Sequence, residues 1–355
     1  MTTQLSNRTL LVLRLIVASL TLILFHTSAL AQYKQFNLVS TNSPHTPNND
    51  PNLVNGWGLA FFQSSPFWTA NNGTGTSTLY DHSGTPIPLI VTIPPAPSMP
   101  FGPQGTPTGL IANGSGGFPV SANGQTGSAF FIYDTLDGTI SGWNPGVDVT
   151  HAVIAVDNSA SHALYTGLAI AKNGGASFLY AADAVNNKID VYDSTFTWVK
   201  SFTDPNPPAG LGVYGIQTVH GRLYVTLASP VALQGGAIDV FSTDGKFQRR
   251  LTANGPEGPL QSPWGTALAP GDFGALSNTL LIGNVDDGHI NAFDPKTGAF
   301  VGEMTHLNGS PITIGGLWAL QFGAGNPANG NKNELFFTAG PAGYRKGLFG
   351  LIQAK

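Results

Sequence analysis

The sequence contains no cysteine. Disulfides, thiolate metal sites and cysteine nucleophiles are thereby excluded, and the redox compartment is left open rather than decided. Charge is scarce as well: 10% of residues are Asp, Glu, Lys or Arg, against about 25% in ordinary soluble domains. Only three are Glu (Glu257, Glu303 and Glu334), so the chain lacks the residues that build solvated helix faces. No basic run exceeds the pair Arg249 and Arg250. Nucleic-acid backbones are bound by clustered positive charge, so no nucleic-acid partner is expected. Catalytic signatures are missing too: there is no Gly-x-Ser-x-Gly elbow, His-Glu-x-x-His pair, Walker loop or complete EF-hand loop.

What is present in excess is turn chemistry. The chain has 45 Gly and 26 Pro in 355 residues, with 41% hydrophobic residues and 21 Phe. That is enough apolar material for a large core broken into many short elements, which points to an all-β fold. The N-terminus has a different character. Arg8 and Arg14 precede the apolar run from Leu15 to Phe25, and Ala29-Leu30-Ala31 follows. This is the three-part pattern of a secretion signal cleaved after Ala31, so residues 1–31 are expected to be removed and residues 32–355 to form the mature protein, in the periplasm or outside the cell. The apolar run is shorter than the ~20 residues that span a bilayer, and no membrane span is expected after cleavage.

A repeat decides the architecture. Short segments entering through Gly or an aromatic recur six times: Trp57-Gly58-Leu59-Ala60, Thr108-Gly109-Leu110-Ile111, Thr166-Gly167-Leu168-Ala169, Tyr214-Gly215-Ile216, Trp264-Gly265-Thr266-Ala267 and Leu317-Trp318-Ala319-Leu320. The five glycines are 51, 58, 48 and 50 residues apart. Each segment is followed by an apolar run, such as Phe178-Leu179-Tyr180-Ala181 or Leu335-Phe336-Phe337-Thr338, that reads as a buried strand. A third, alternating strand and a fourth, more polar one complete each unit except the last. Asp137-Gly138, Asp244-Gly245 and Asp287-Gly288 mark hairpins beside these strands.

Four strands per unit at a period of about 50 residues predict a six-bladed β-propeller in one domain, rather than a sandwich or two three-unit domains. The sixth unit lacks a fourth strand, and Phe36-Asn37-Leu38-Val39-Ser40 lies unpaired before the first. This N-terminal strand is expected to close the last blade outside Leu348–Leu351.

Asp50-Pro51-Asn52-Leu53-Val54-Asn55-Gly56-Trp57-Gly58-Leu59-Ala60, Asn71 to Asp81, Pro263 to Phe273, Asn284 to Pro295 and Phe336 to Pro341 resemble a family of uncharacterised secreted bacterial proteins, some carrying a PEP-CTERM sorting tag. The resemblance spans almost the whole mature chain. It implies a propeller fold related to NHL and lactonase propellers and an exported location, with no activity attached. The chain departs from the tagged members in ending Gln353-Ala354-Lys355, without a Pro-Glu-Pro motif, apolar helix or basic tail.

Candidate function follows from propeller topology, because the second strand of a blade ends on the face where the first begins. Asn55, Asn71, Asn72, Asp134, Asp183, Asn186, Asn284 and Asp286 all fall at such positions. A ring of these oxygens can hold Ca²⁺ or another divalent cation, with Asp134, Asp183 and Asp286 as the charged ligands. The same residue types also cap turns at strand ends with no ion bound. The aromatics Trp57, Tyr214 and Trp264 can line a site for a small molecule, glycan or protein at the channel mouth, or pack between blades. Glu257-Gly258-Pro259 resembles an acidic motif of metal-dependent propeller lactonases, but it occurs once.

Gly210-Leu211-Gly212-Val213-Tyr214-Gly215 matches a dinucleotide fingerprint yet follows Pro207-Pro208 rather than a strand, and reads as a turn. His289, beside Asp286 and Asp287, is the most suggestive of seven mature histidines, though Asp287-Gly288 is accounted for by a turn. The leading expectation is a monomeric, non-catalytic binding or scaffold propeller. The alternative is a lactonase- or esterase-type hydrolase using a metal-bound water.

Overall fold

The structure, a computed structural model, describes residues 32–355 apart from Gln63 and Met99. The predicted signal segment, residues 1–31, lies outside the described residues. Six antiparallel sheets follow one another along the chain. Blade 1 comprises Gly56–Ala60, Phe67–Asn71, Thr76–Tyr80 and Pro86–Thr92. Blade 2 comprises Pro107–Ala112, Phe131–Thr135, Thr139–Trp143 and Val153–Asp157. Blade 3 comprises Tyr165–Asn173, Ala176–Asp183, Lys188–Tyr192 and Trp198–Phe202. Blade 4 comprises Gly212–Val219, Arg222–Ala228, Gly236–Ser242 and Phe247–Asn254, and blade 5 Pro263–Leu268, Leu280–Asn284, Ile290–Phe293 and Phe300–Glu303.

Blade 6 is built from both ends of the described chain. Leu317–Phe322, Glu334–Ala339 and Leu348–Ala354 are completed by Gln32–Ser40. The added strand runs antiparallel to Leu348–Ala354, with Phe36 opposite Leu351 and Ser40 opposite Leu348. Short parallel pairings with Asn48–Asn49 and Thr305–His306 widen this sheet. The expected closure is therefore present, and the protein is an all-β, six-bladed propeller with four-stranded blades. The unit around blade 2 holds more than the sequence reading allowed. A hairpin, Pro119–Ala122 with Gln125–Ser128, is inserted between its first two strands and turned by Asn123 and Gly124 at positive φ.

The apolar faces meet between blades. Each of the six interfaces has its own buried cluster, for example Trp68, Leu79 and Val91 of blade 1 against Leu110, Phe131 and Tyr133 of blade 2. Blade 3 meets blade 4 through Tyr180, Val191, Ile216 and Val225. Aromatic and β-branched residues dominate because two pleated faces must interdigitate across each gap.

The repeated glycines have a specific cause. The innermost strand of every blade carries an irregularity in register near its start. There the next blade's backbone comes close. A Cβ on Gly58 would lie 2.5 Å from the Thr108 carbonyl oxygen, one on Gly109 2.4 Å from the Leu168 nitrogen, and one on Gly265 2.3 Å from the Trp318 carbonyl oxygen. Such distances are below any van der Waals contact, so a side chain would force adjacent inner strands apart. Threonine hydroxyls tie the same junctions. Thr108 Oγ1 donates to the Tyr165 carbonyl at 2.8 Å and Thr338 Oγ1 to that of Trp57 at 2.5 Å.

Candidate functional site

The two ends of the axis differ. At the end where inner strands begin, Trp57 stacks on Trp318 with centroids 3.5 Å apart, and Trp264 meets both edge-on at 6.3 and 5.9 Å. Tyr214 and Tyr344 lean on Trp318 at 6.2 and 5.8 Å. The tryptophans come from blades 1, 5 and 6, and Trp264 Nε1 donates to the Thr166 carbonyl of blade 3 at 2.6 Å. They are 5%, 8% and 2% exposed. The aromatics thus form a plug across the axis in which Trp57, Tyr214 and Trp264 pack together, and Trp264 also walls the cavity beneath it. Trp318 and Tyr344, which complete the plug, were missed in the sequence reading; Trp318 stands at a repeat position and could have been included.

Most polar side-chain groups around this plug are engaged nearby, while Asn284 Oδ1, Asp134 Oδ2, Asn72 Nδ2 and Trp57 Nε1 are buried with no hydrogen-bond partner. Asn55, at φ +49°, accepts from Trp318 Nε1 at 2.8 Å and donates to Asn72 Oδ1 at 3.1 Å. Asn71 exchanges hydrogen bonds with Thr69 and Thr78 within its own blade, both at 2.9 Å. Asn284 donates to the Pro259 carbonyl at 2.9 Å.

The three proposed carboxylate ligands each bond to a different segment of the chain. Asp134 accepts from Thr108 Oγ1 at 2.7 Å and the Gly109 amide at 2.5 Å. Asp183 accepts from the Leu164 amide at 3.2 Å and from Asn186 Nδ2 at 2.8 Å. Asp286 accepts from Ser262 Oγ at 2.6 Å and the Leu233 amide at 2.8 Å. Among the described residues no group of three or more His, Asp or Glu side chains is placed to hold a metal ion. Asp134, Asp183 and Asp286 share a face of the ring, but each is drawn to donors of its own neighbourhood.

Burial dominates the electrostatics at this end. Burial pushes the Asp134 carboxyl up to about 6, with the Thr108 hydroxyl and Gly109 amide pulling it partly back. Burial likewise raises the Tyr214 phenol, helped by the charges of Tyr344 and Asp286. His289 lies in the Asp287-Gly288 turn, its Nδ1 2.7 Å from Glu303 Oε1, and Gly288 has φ +73°. The Gly210 to Gly215 segment is a turn leading into strand Gly212–Val219, with no helix.

Beneath the plug the axis is open. A cavity of about 360 Å³ is walled by the innermost strands of all six blades, including Leu59, Leu110, Ile170, Gln217, Trp264 and Gln321. At the face carrying the turns between first and second strands it meets a shallower pocket of about 210 Å³, with which it shares Gln217, Thr218, Leu320 and Gln321. No side chain in the wall of the larger cavity is ionisable. Gln217 and Gln321 are half-buried.

Sequence reasoning missed both glutamines, yet a signal exists. Two residues beyond the small residue of each repeat stand Ala60, Ile111, Ala169, Gln217, Ala267 and Gln321. Two polar residues interrupt an otherwise apolar set.

Six four-stranded blades around a cavity plugged at one end define a six-bladed β-propeller with a blind axial pocket. No family model matches this sequence. The protein is 33% identical over 341 residues to the uncharacterized protein R648 of Acanthamoeba polyphaga mimivirus, covering 91% of this chain and 81% of the relative. It is 30% identical over 342 residues to uncharacterized protein L690 of the same virus, covering 91% and 86%. The chain belongs to the family of these proteins.

These relatives are uncharacterized viral proteins, not the secreted bacterial family that the motif resemblance led one to expect. Among solved structures, the propeller of virginiamycin B lyase from Staphylococcus aureus is similar with a TM-score of 0.52 at 13% identity, covering 91% of this chain and 99% of that one. A streptogramin B lyase structure gives 0.52 at 10% identity, covering 91% and 97%. At such identities the likeness is one of fold.

Proposed function

We propose that the protein is an exported, non-catalytic binding propeller whose ligand enters the open end of the axial channel. The observation that carries this reading is the cavity wall. It is concave, drawn from all six blades and free of ionisable side chains, so it offers shape and neutral hydrogen-bonding groups but no general acid, general base or charged nucleophile. The rival hydrolase reading needs convergent carboxylates to hold a metal and its water. Asp134, Asp183 and Asp286 are engaged separately. Export is supported by Arg8, Arg14, the apolar run and Ala29-Leu30-Ala31. Among the described residues no helix is long and apolar enough to cross a membrane.

The test is metal analysis of purified protein, with a thermal-shift screen of neutral small molecules and a lactone and phosphoester panel run before and after chelation. The expected result is ligand-dependent melting without turnover. Stoichiometric metal with chelator-sensitive turnover would replace this reading by the hydrolase. Export is tested by N-terminal sequencing of the extracytoplasmic fraction, where a chain starting at Gln32 is expected.

A further inference from the structure

The innermost strand of each blade is the terminal strand of its sheet, so one of its edges pairs with no other strand. These six edges surround the cavity with peptide N–H and C=O groups. Gln217 on blade 4 and Gln321 on blade 6 add amides that can each donate and accept. Between them, on blade 5, Thr266 is buried with a hydroxyl that has no partner; it lines the adjoining outer pocket, where the exposed His220 also lies, outside the wall of the axial cavity. Leu59, Leu110 and Ile170 on blades 1, 2 and 3 supply aliphatic surface instead.

Resting on the channel reading above, we propose that this pocket takes a neutral polyhydroxylated ring, a pyranose either free or at the end of a glycan. Three properties select that class. With no ionisable side chain in the wall, a charged ligand would be stripped of water without a counter-charge. With donors and acceptors on several sides, a hydrocarbon would leave them unpaired, at about 1–3 kcal/mol for each buried group. With the tryptophan plug closing the far end, an extended polymer cannot thread through, and about 360 Å³ lies at the lower end of the ~300–1,000 Å³ of small-molecule pockets. A pyranose presents hydroxyls around its rim and C–H faces for the aliphatic side.

The experiment is saturation-transfer NMR and calorimetry on the mature chain. The ligands are neutral methyl pyranosides and N-acetylhexosamines, glucuronate and glucosamine as charged counterparts, and neutral oligosaccharides. At least one neutral pyranoside or oligosaccharide is expected to bind, its charged counterpart tenfold or more weaker. Binding of oligosaccharides alone would assign the source as a glycan end, and binding of pyranosides alone as the free sugar. Gln217→Leu and Gln321→Leu should each weaken binding about tenfold, the equivalent of ~1.4 kcal/mol, with the melting temperature unchanged.

Failure of every neutral sugar, equal binding of charged ones, or indifference to both substitutions overturns the proposal. A panel of neutral amide and ether fragments run in parallel separates this from the broader reading. Fragments that bind the natural protein and are lost on combining Gln217→Trp with Gln321→Trp, while sugars do not bind, remove the sugar and keep the channel. If no fragment binds, the channel reading falls too.

Discussion

The plugged end of the axis and its open end are made by the same six strands, yet they differ in what their side chains have left to offer. At the plug, Asn55, Asp134, Asp183 and Asp286 are held by tryptophan, threonine and serine side chains or loop amides. At the open end, Gln217 and Gln321 face a cavity with no charged side chain in its wall. Much of the polar surface at the plug is tied into inner-strand junctions, yet Asp134 Oδ2, Asn284 Oδ1 and Asn72 Nδ2 are buried there without a partner, so the two ends differ in how far their side chains are engaged rather than in kind.

The sharpest way to break this contrast is to remove the plug. Trp57→Ala deletes a ring stacked at 3.5 Å on Trp318 and should cost about 3–5 kcal/mol, read as a lower urea midpoint. A loss below 1 kcal/mol would mean that the plug does not hold the ring together.

The second test uses pH. The folded chain holds the Asp134 proton more tightly than the unfolded chain does, since burial moves its carboxyl from 3.8 to about 6. This group's contribution is greatest below pH 4 and is lost as pH rises through about 6. Two units correspond to at most about 3 kcal/mol. Asp239, also raised to about 6 by burial against the opposing pull of Arg250, acts in the same direction. The stability difference between the natural protein and Asp134→Asn should therefore shift toward the variant between pH 4 and pH 7. A constant difference would place the carboxyl at its ordinary value.

Third, Gly265→Ala forces a Cβ toward the Trp318 carbonyl and should cost about 1–3 kcal/mol, while Gly102→Ala, in open space with no positive φ, should be close to neutral. Equal melting temperatures for the two variants would refute the close approach of inner strands. Smallest of all, Gln217→Leu and Gln321→Leu should stay within about 0.5 kcal/mol of the natural protein. A larger loss would make the open end as structural as the plugged one.

The ring was legible in the sequence because its cause is local and repeated. Gly58, Gly109, Gly215 and Gly265 mark junctions where a Cβ would lie within 3 Å of a neighbouring atom, Gly167 one where it would be tight at 3.1 Å, and the apolar runs after them are the second strands. The closing strand was legible by subtraction, since Phe36–Ser40 had no partner and the sixth unit lacked one. The Pro119–Ser128 hairpin was overlooked although Asn123-Gly124 is a strong turn signal, because it interrupts the four-strand rhythm.

The candidate site was harder to read. Topology puts Asp134, Asp183 and Asp286 on one face, but side-chain direction and competing donors such as Ser262 and Thr108 depend on the bulged inner strands. The innermost strands also present their free edges to the channel, and no residue letter records an unpaired peptide edge.

The closing strand also sets an order of events. Thr41 and Gly347, hydrogen-bonded at 2.7 Å, are 306 positions apart, so on the ribosome the strand before Thr41 emerges long before its partner. Until then the apolar residues Val39, Phe336 and Phe349 that fill the last interface cannot all be covered. Loop closure costs only about 0.6 kcal/mol per doubling of length, but pairing over such distances is slow. The delay is one of connectivity rather than contacts. The Lys355 amide lies 3.3 Å from the Gln32 carbonyl oxygen, so a permuted gene joining these residues would bring both strands off the ribosome together.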